Sequence, residues 1–352
     1  MLVNLLSGDL PRSRALSAVL IAIVFGLAFA PFLFPGTRPL DTAAHICIFI
    51  VLVASYDLML GYGGIVSFAH TMFFGIGAYG VALATEHLGR SFGAVAVGTL
   101  AGVFLAAALA FVIAMFSLRV RAIFFAMITL AVASAVAVLV SQFSQITGGE
   151  DGMTLKIPRE LTPAFKLFDT KILDVRISGK ILNYYMVFWC SLVLFLIMLR
   201  IVNSPFGSVL LAIRENAFRA EAIGYRVVLY RTAVTVISAM IAALAGALYA
   251  LWLRYVGPAT TLSFDIMLDI LLMVVIGGMG TLYGAVIGAT LFVLAQTYLQ
   301  DLMAKASQAT AELPLVPDLL NPDRWLLWLG VLFILSIYFF PTGVVGRLRA
   351  RG

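Results

Sequence analysis

Residues 204–231 read SPFGSVLLAIRENAFRAEAIGYRVVLYR, and here the chain departs from the apolar character it has on both sides. Arg214, Glu215, Arg219, Glu221, Arg226 and Arg231 all fall in this stretch, between apolar runs at Ile181 to Leu199 and Thr232 to Leu253. Ionised side chains are costly at bilayer depth, so such a segment stands in water at one end of a membrane bundle. Ser204 is placed to cap a helix beginning at Pro205, and Gly224 suits a left-handed stop, which frames roughly five turns. Leu210, Ile213, Ala217 and Ala220 recur at spacings of three and four, giving that helix one small, apolar face. The pattern predicts a docking element whose apolar face seats in a groove on another protein. A solvated loop is the plainer alternative.

Outward from this loop the composition sets the class. Of 352 residues, 62% are hydrophobic and 11% charged, whereas a soluble domain carries about 25% charged residues. The chain therefore reads as an all-α polytopic membrane protein with no separate soluble domain. A span needs about 20 apolar residues. That rule places spans at Ala15 to Phe34, Ala43 to Leu60, Ile65 to Ala84, Phe92 to Leu118, Ala122 to Val140, Ile181 to Leu199, Thr232 to Leu253, Phe264 to Met279, Leu282 to Leu299 and Arg324 to Phe340. Ten segments result, of which the third, eighth and ninth are the weakest as full crossings. Arg12 and Arg14 before an apolar run ending in Ala28-Phe29-Ala30 have the form of a signal peptide. The run continues to Phe34, so a retained helix is expected.

With the N-terminus inside, Arg12 and Arg14, Arg119 and Arg121, Arg200 to Arg231, and Arg347, Arg349 and Arg351 are cytoplasmic. Outer loops hold Arg38, Arg90, Arg254, Lys305 and Arg324, in keeping with the positive-inside rule. The segment from Ser141 to Lys180 runs against that rule, for it is external yet carries Lys156, Arg159, Lys166, Lys171, Arg176 and Lys180 beside five acidic residues. Mixed charge suits either a soluble partner or plain solvation. The net charge of +6 is spread over short loops without an aromatic platform, so nucleic acid is not an expected partner. Cys47 and Cys190 lie in apolar runs and read as small core residues.

Two glycine-rich stretches interrupt the spans. Gly61-Tyr62-Gly63-Gly64 leads to Ser67, His70 and Thr71 and then to Gly75 and Gly77, while Gly277-Gly278-Met279-Gly280 leads to Gly284 and Gly288. Irregular backbone at this depth is tolerated only against protein or a water-filled cavity, so each marks a close helix crossing or the translocation pathway. Residues 75–80, GIGAYG, match a dinucleotide fingerprint by spacing alone, with no strand before them. Pairing spans two to five with seven to ten gives an odd offset, which predicts two pseudo-symmetric inverted halves. Asp57 and Asp269 are carboxylates within apolar runs and need a cavity or a partner. For Asp269 the pathway and an interhelical hydrogen bond are both open. His45 and His87 have no metal-spaced companions.

The combination of Arg214-Glu215-Asn216, Ala220-Glu221-Ala222 with Gly224, and Leu244 to Tyr249 resembles the cytoplasmic coupling loop of ABC importer permeases, and more narrowly the branched-chain amino acid permease family. Gly61 to Tyr79, Gly277 to Gly284, Arg121 to Met127, Thr147 to Gly152 and Phe340-Pro341 with Gly343 are similar to the same family, so the likeness runs from Ala43 almost to the end. Ile65, Ala69 and Asp57 depart from its usual residues. The resemblance implies a single transmembrane permease domain over 1–352. Within it lie a helix group at 15–140, an external loop at 141–180, a span at 181–200, the coupling loop at 201–231, a second helix group at 232–340 and a basic cytoplasmic tail at 341–352. Arg214, Glu215, Asn216, Ala220, Glu221 and Gly224 would couple to an ATPase. Ser67, His70, Thr71, Gly75, Gly77, Gly277, Gly278, Gly280 and Asp269 would line the pathway or its broken segments.

No phosphate-cradling G-x-x-x-x-G-K-[ST] occurs in the sequence, so ATP and magnesium are expected on a partner and the chain binds no cofactor itself. The implied partners are two ATPase subunits, a second homologous permease chain, a soluble substrate-binding protein and the lipid of a bacterial-type cytoplasmic (inner) membrane. The implied cargo is a branched-chain amino acid, with urea, amides and aromatic acids as cargoes of sister permeases. An ion-coupled carrier using Asp57, Asp269 or His70 is the competing class, as is a membrane enzyme, for which no catalytic constellation is found.

Overall fold

A computed structural model describes residues 13–34, 36–117, 122–172, 175–309, 321–339 and 343–350. Arg12, Arg119, Arg121, Arg351 and the Phe340-Pro341 pair lie outside them. Most of the chain is helix, as expected where no water is present to satisfy free backbone groups. The long helices are α1 (Arg14–Ala28), α2 (Thr37–Asp57), α3 (His70–Leu88), α4 (Phe92–Ser117), α5 (Ala122–Gln142), α6 (Gly179–Val202), α9 (Val227–Leu253), α10 (Phe264–Gly277), α11 (Leu282–Ala309) and α12 (Trp325–Phe339). Helices α7 (Pro205–Glu215) and α8 (Ala217–Ala222) form the charged loop, and α13 (Gly343–Ala350) follows α12.

Among the described residues seven helices are long and apolar enough to cross a membrane, against the ten segments expected. The eighth and ninth expected spans meet the criterion, as Pro258–Gly277 and Leu282–Ala309. Helix α1 has 15 residues, about 22 Å at 1.5 Å per residue, with a further helical turn at Ala30–Leu33, and α12 is described over 15 residues. Helix α3 carries His70, Thr71, Glu86 and His87 and is largely buried in the protein. Helix α2 begins six positions before the expected Ala43, because Arg38 pairs with Asp301 at 2.6 Å and Asp41 with Lys180 at 2.8 Å.

Contacts fix the helix directions. The start of α2 meets the far half of α11 through Arg38 and the Thr297 carbonyl at 2.8 Å, and its last residue, Asp57, meets Gly280 just before α11. The Tyr184 and Tyr185 hydroxyls near the start of α6 donate to the Leu27 and Ala28 carbonyls at the end of α1. Leu16 of α1, Ile287 of α11 and Val345 of α13 form one small buried cluster. The two described ends of the chain thus lie together.

Close crossings hold the bundle. A Cβ on Gly77 would overlap the Ala243 carbonyl, and one on Gly246 the Phe74 carbonyl, so α3 and α9 touch backbone to backbone. Gly80, Gly98 and Gly102 bring α3 and α4 together in the same way, and Gly277, Gly284 and Gly288 join α10 to α11. Small residues at helix crossings supply the packing that the hydrophobic effect does not supply in lipid. Residues 75–80 are interior to α3, which disposes of the fingerprint spacing. Between α5 and α10, β1 (Met153–Thr154) pairs antiparallel with β4 (Tyr255–Val256), and β2 (Lys166–Ile172) with β3 (Val175–Ser178).

Candidate functional site

The first break starts from the sequence Asp57-Leu58-Met59-Leu60-Gly61-Tyr62. A π-turn over Leu58–Tyr62 closes α2, and Gly64, at φ +66°, reverses the chain. Residues 65–69 then lead to α3, with the Ala69 amide donating to Ser67 Oγ at 3.2 Å and the Phe68 amide to Thr129 Oγ1 at 3.0 Å. Such turns replace the helical bonds that the glycines give up. His70 is fully buried, and its Nε2 lies 2.9 Å from Ser55 Oγ. Ser55 Oγ also lies 2.8 Å from the Leu52 carbonyl. Ser238 Oγ donates to the Ser55 carbonyl, so His70 joins a buried polar seam across α2, α3 and α9. Thr71, beside it, is buried as well.

The second break follows α10. Gly278 and Gly280 have φ +114° and +82°, and Thr281 Oγ1 donates to the Gly278 carbonyl at 3.0 Å while accepting from the Gly284 amide at 3.2 Å. Gly343, opening α13, packs on the Gly278 backbone. Gly75 packs against the Leu262 side chain. Asp269, half-buried on α10, is hydrogen-bonded to Gln296 of α11.

The charged loop differs from the single helix expected. It breaks at Asn216, whose extended backbone ends α7 and whose Oδ1 accepts the Arg219 amide at 2.9 Å, capping α8. An asparagine is well suited to that place because its side chain replaces a missing helical bond. Pro205 opens α7 and Gly224 (φ +99°) follows α8, both as expected. Ser204 instead donates its hydroxyl to the Ile201 carbonyl at 2.6 Å. The apolar face is also elsewhere than expected: Leu210, Ile213 and Ala220 are buried within this chain, the latter two against Val227. What the loop shows to solvent is Phe218 (83% exposed), Ile223 (69%) and Leu229 (58%). Glu215, Arg219 and Glu221 are exposed around them. An apolar residue inside a charged loop is the signal that sequence reasoning passed over at Phe218.

Loop and breaks meet at one point. Arg214 Nη1 donates to the Gly61 carbonyl, and Asp57 Oδ1 accepts the Gly280 amide at 2.8 Å. At the opposite end, Lys156 donates to Glu86 at 2.7 Å, and that bond holds the Glu86 carboxyl below its usual range. The Leu155 amide donates to the Arg254 carbonyl at 2.9 Å, tying the 141–180 loop down.

A family described as branched-chain amino acid transport system, permease component, matches residues 38–337. The chain is 26% identical over 322 residues to the high-affinity branched-chain amino acid transport system permease protein LivM of Salmonella typhimurium, covering 88% of this chain and 70% of that protein. The LivM of Escherichia coli gives the same figures. A probable branched-chain amino acid transport permease protein LivM of Methanocaldococcus jannaschii is 27% identical over 299 residues, 80% of each chain. No solved structure matches the chain.

Proposed function

We infer that this chain, which belongs to the family of branched-chain amino acid transport system permease components, is the membrane-spanning permease subunit of an ABC importer. Its cargo, on the strength of the names its relatives carry, is leucine, isoleucine, valine or a related small solute, moved across a bacterial-type cytoplasmic membrane. The observation that carries the mechanism is the loop at 204–231, which holds exposed apolar side chains among charges on its outer side and reaches both glycine breaks on its inner side. In this reading two ATPase chains, holding ATP and magnesium, seat on α7 and α8, and nucleotide binding there shifts the loop. Arg214, Glu215, Asn216, Ala220, Glu221 and Gly224 belong to that coupling segment. The breaks at Ser67, His70 and Thr71 and at Gly277, Gly278 and Gly280 flank the pathway, with Gly75, Gly77 and Asp269 behind them. A second permease chain completes the pathway, and a soluble binding protein docks on the outer face.

The reading includes ten traverses in two inverted halves. Its support is a swap of packing partners: α9 has its largest contacts with α3 and α4, and α2 packs on α10 and α11. That exchange is what equivalence of α2 with α9, α3 with α10 and α4 with α11 requires. The test is reconstitution in vesicles with the ATPase and a leucine-loaded binding protein. Leucine uptake that depends on ATP supports the reading. Uptake driven by a proton or sodium gradient without ATP overturns it.

A further inference from the structure

We propose that Asp57 is a positioning residue for coupling, and that with Arg214 it forms a node fastening the docking loop to both glycine breaks at once. The proposal rests on the importer reading above. Asp57 is 1% exposed and ends α2, a place where a carboxylate needs a dedicated partner. Its Oδ1 takes the Gly280 amide from the second break at 2.8 Å. A Cβ on Gly61 would overlap both that oxygen and the Gly280 nitrogen, so the two breaks touch through the carboxylate with no room between them. Arg214 enters from the loop, donating to the Gly61 carbonyl. Its Nη1 would be 2.7 Å from a Cβ on Gly280, and its Cγ 3.3 Å from one on Gly64.

One side chain from α7 therefore bears on the glycines of both breaks, and one carboxylate bonds them to each other. A carboxylate that accepts an amide N–H makes a stronger bond than a neutral acceptor does. A push on α7 reaches the end of α2 and the start of α3 through Gly61, and reaches α10 and α11 through Gly280. An amide at position 57 would accept the same hydrogen bond more weakly, as a neutral acceptor. The node gives the carboxylate a task unrelated to carrying protons or sodium.

The experiment uses the assembled importer in vesicles with leucine as the solute, comparing Asp57→Asn, Arg214→Lys and the double variant. Assembly is read from subunit ratios, and coupling from leucine taken up per ATP hydrolysed. We expect that ratio to fall about tenfold in each single variant, inside the range of coupling factors between linked sites. The double variant is expected to be no worse than the poorer single one, because both cut the same link. An unchanged ratio in Asp57→Asn, or losses that multiply in the double variant, overturns the proposal. Should Asp57→Asn fail to assemble, an unchanged ratio in Arg214→Lys overturns it equally. A wild-type complex without ATP-driven uptake refutes the importer reading instead, which separates the two failures.

Discussion

The two ends of this bundle are fastened by different physics. At the end away from the charged loop, beside the β1–β4 backbone pairing, the charged ties are ion pairs in water: Arg38 with Asp301, Lys156 with Glu86 and Lys180 with Asp41, mostly around half exposed. Such pairs are screened and contribute little. At the loop end the tie is a buried carboxylate, a backbone amide and a guanidinium packed among glycines. The first kind of fastening weakens in salt, while the second rests on a carboxylate that is 1% exposed.

Changes at the two ends sharpen that contrast. Gly61→Val drives a side chain into the Asp57 carboxylate and the Gly280 backbone, an overpacking costing about 3 kcal/mol or more. The expected result is loss of monodisperse protein on extraction. Asn216→Ala removes the cap of α8 and costs about 1 kcal/mol locally, seen as faster amide exchange over residues 217–222 with the bundle intact. Arg38→Ala at the other end is expected to cost less than about 1 kcal/mol and to shift the melting temperature little, least of all in high salt. Smallest is the Glu86 pair. A carboxyl whose folded value is depressed contributes above its unfolded value and loses that contribution as pH falls through the folded one. Acidification should therefore lower the protection factor of the Leu155 amide once the intrinsic exchange rate is corrected for pH, and Lys156→Ala should abolish that change in protection.

Much of this was legible in the sequence. Apolar runs located the helices, Pro205 and Gly224 bracketed the charged loop, and both glycine stretches are true breaks. The split at Asn216 was legible in principle from its capping chemistry but was hidden by the continuing apolar period on either side. Periodicity identifies the face of Leu210, Ile213 and Ala220 but cannot name what covers it, and for Ile213 and Ala220 the cover is Val227 of α9 in the same chain. The Asp57 to Gly280 bond joins residues 223 positions apart, so no local pattern announces it. The start of α2 was misplaced because hydropathy counts Arg38 and Asp41 as charges, whereas the fold supplies each with a partner.

The most direct test of the central claim is co-purification from the native membrane of the intact chain and of a Phe218→Glu variant. Phe218 is exposed and apolar at the tip of the loop, where an aromatic anchor is worth about 2 kcal/mol or more at an interface, roughly a thirtyfold loss of affinity. The account predicts an ATPase bound to the intact chain and lost from an equally well-folded variant. An intact, folded chain that carries no ATPase, or a variant that retains it undiminished, contradicts the account.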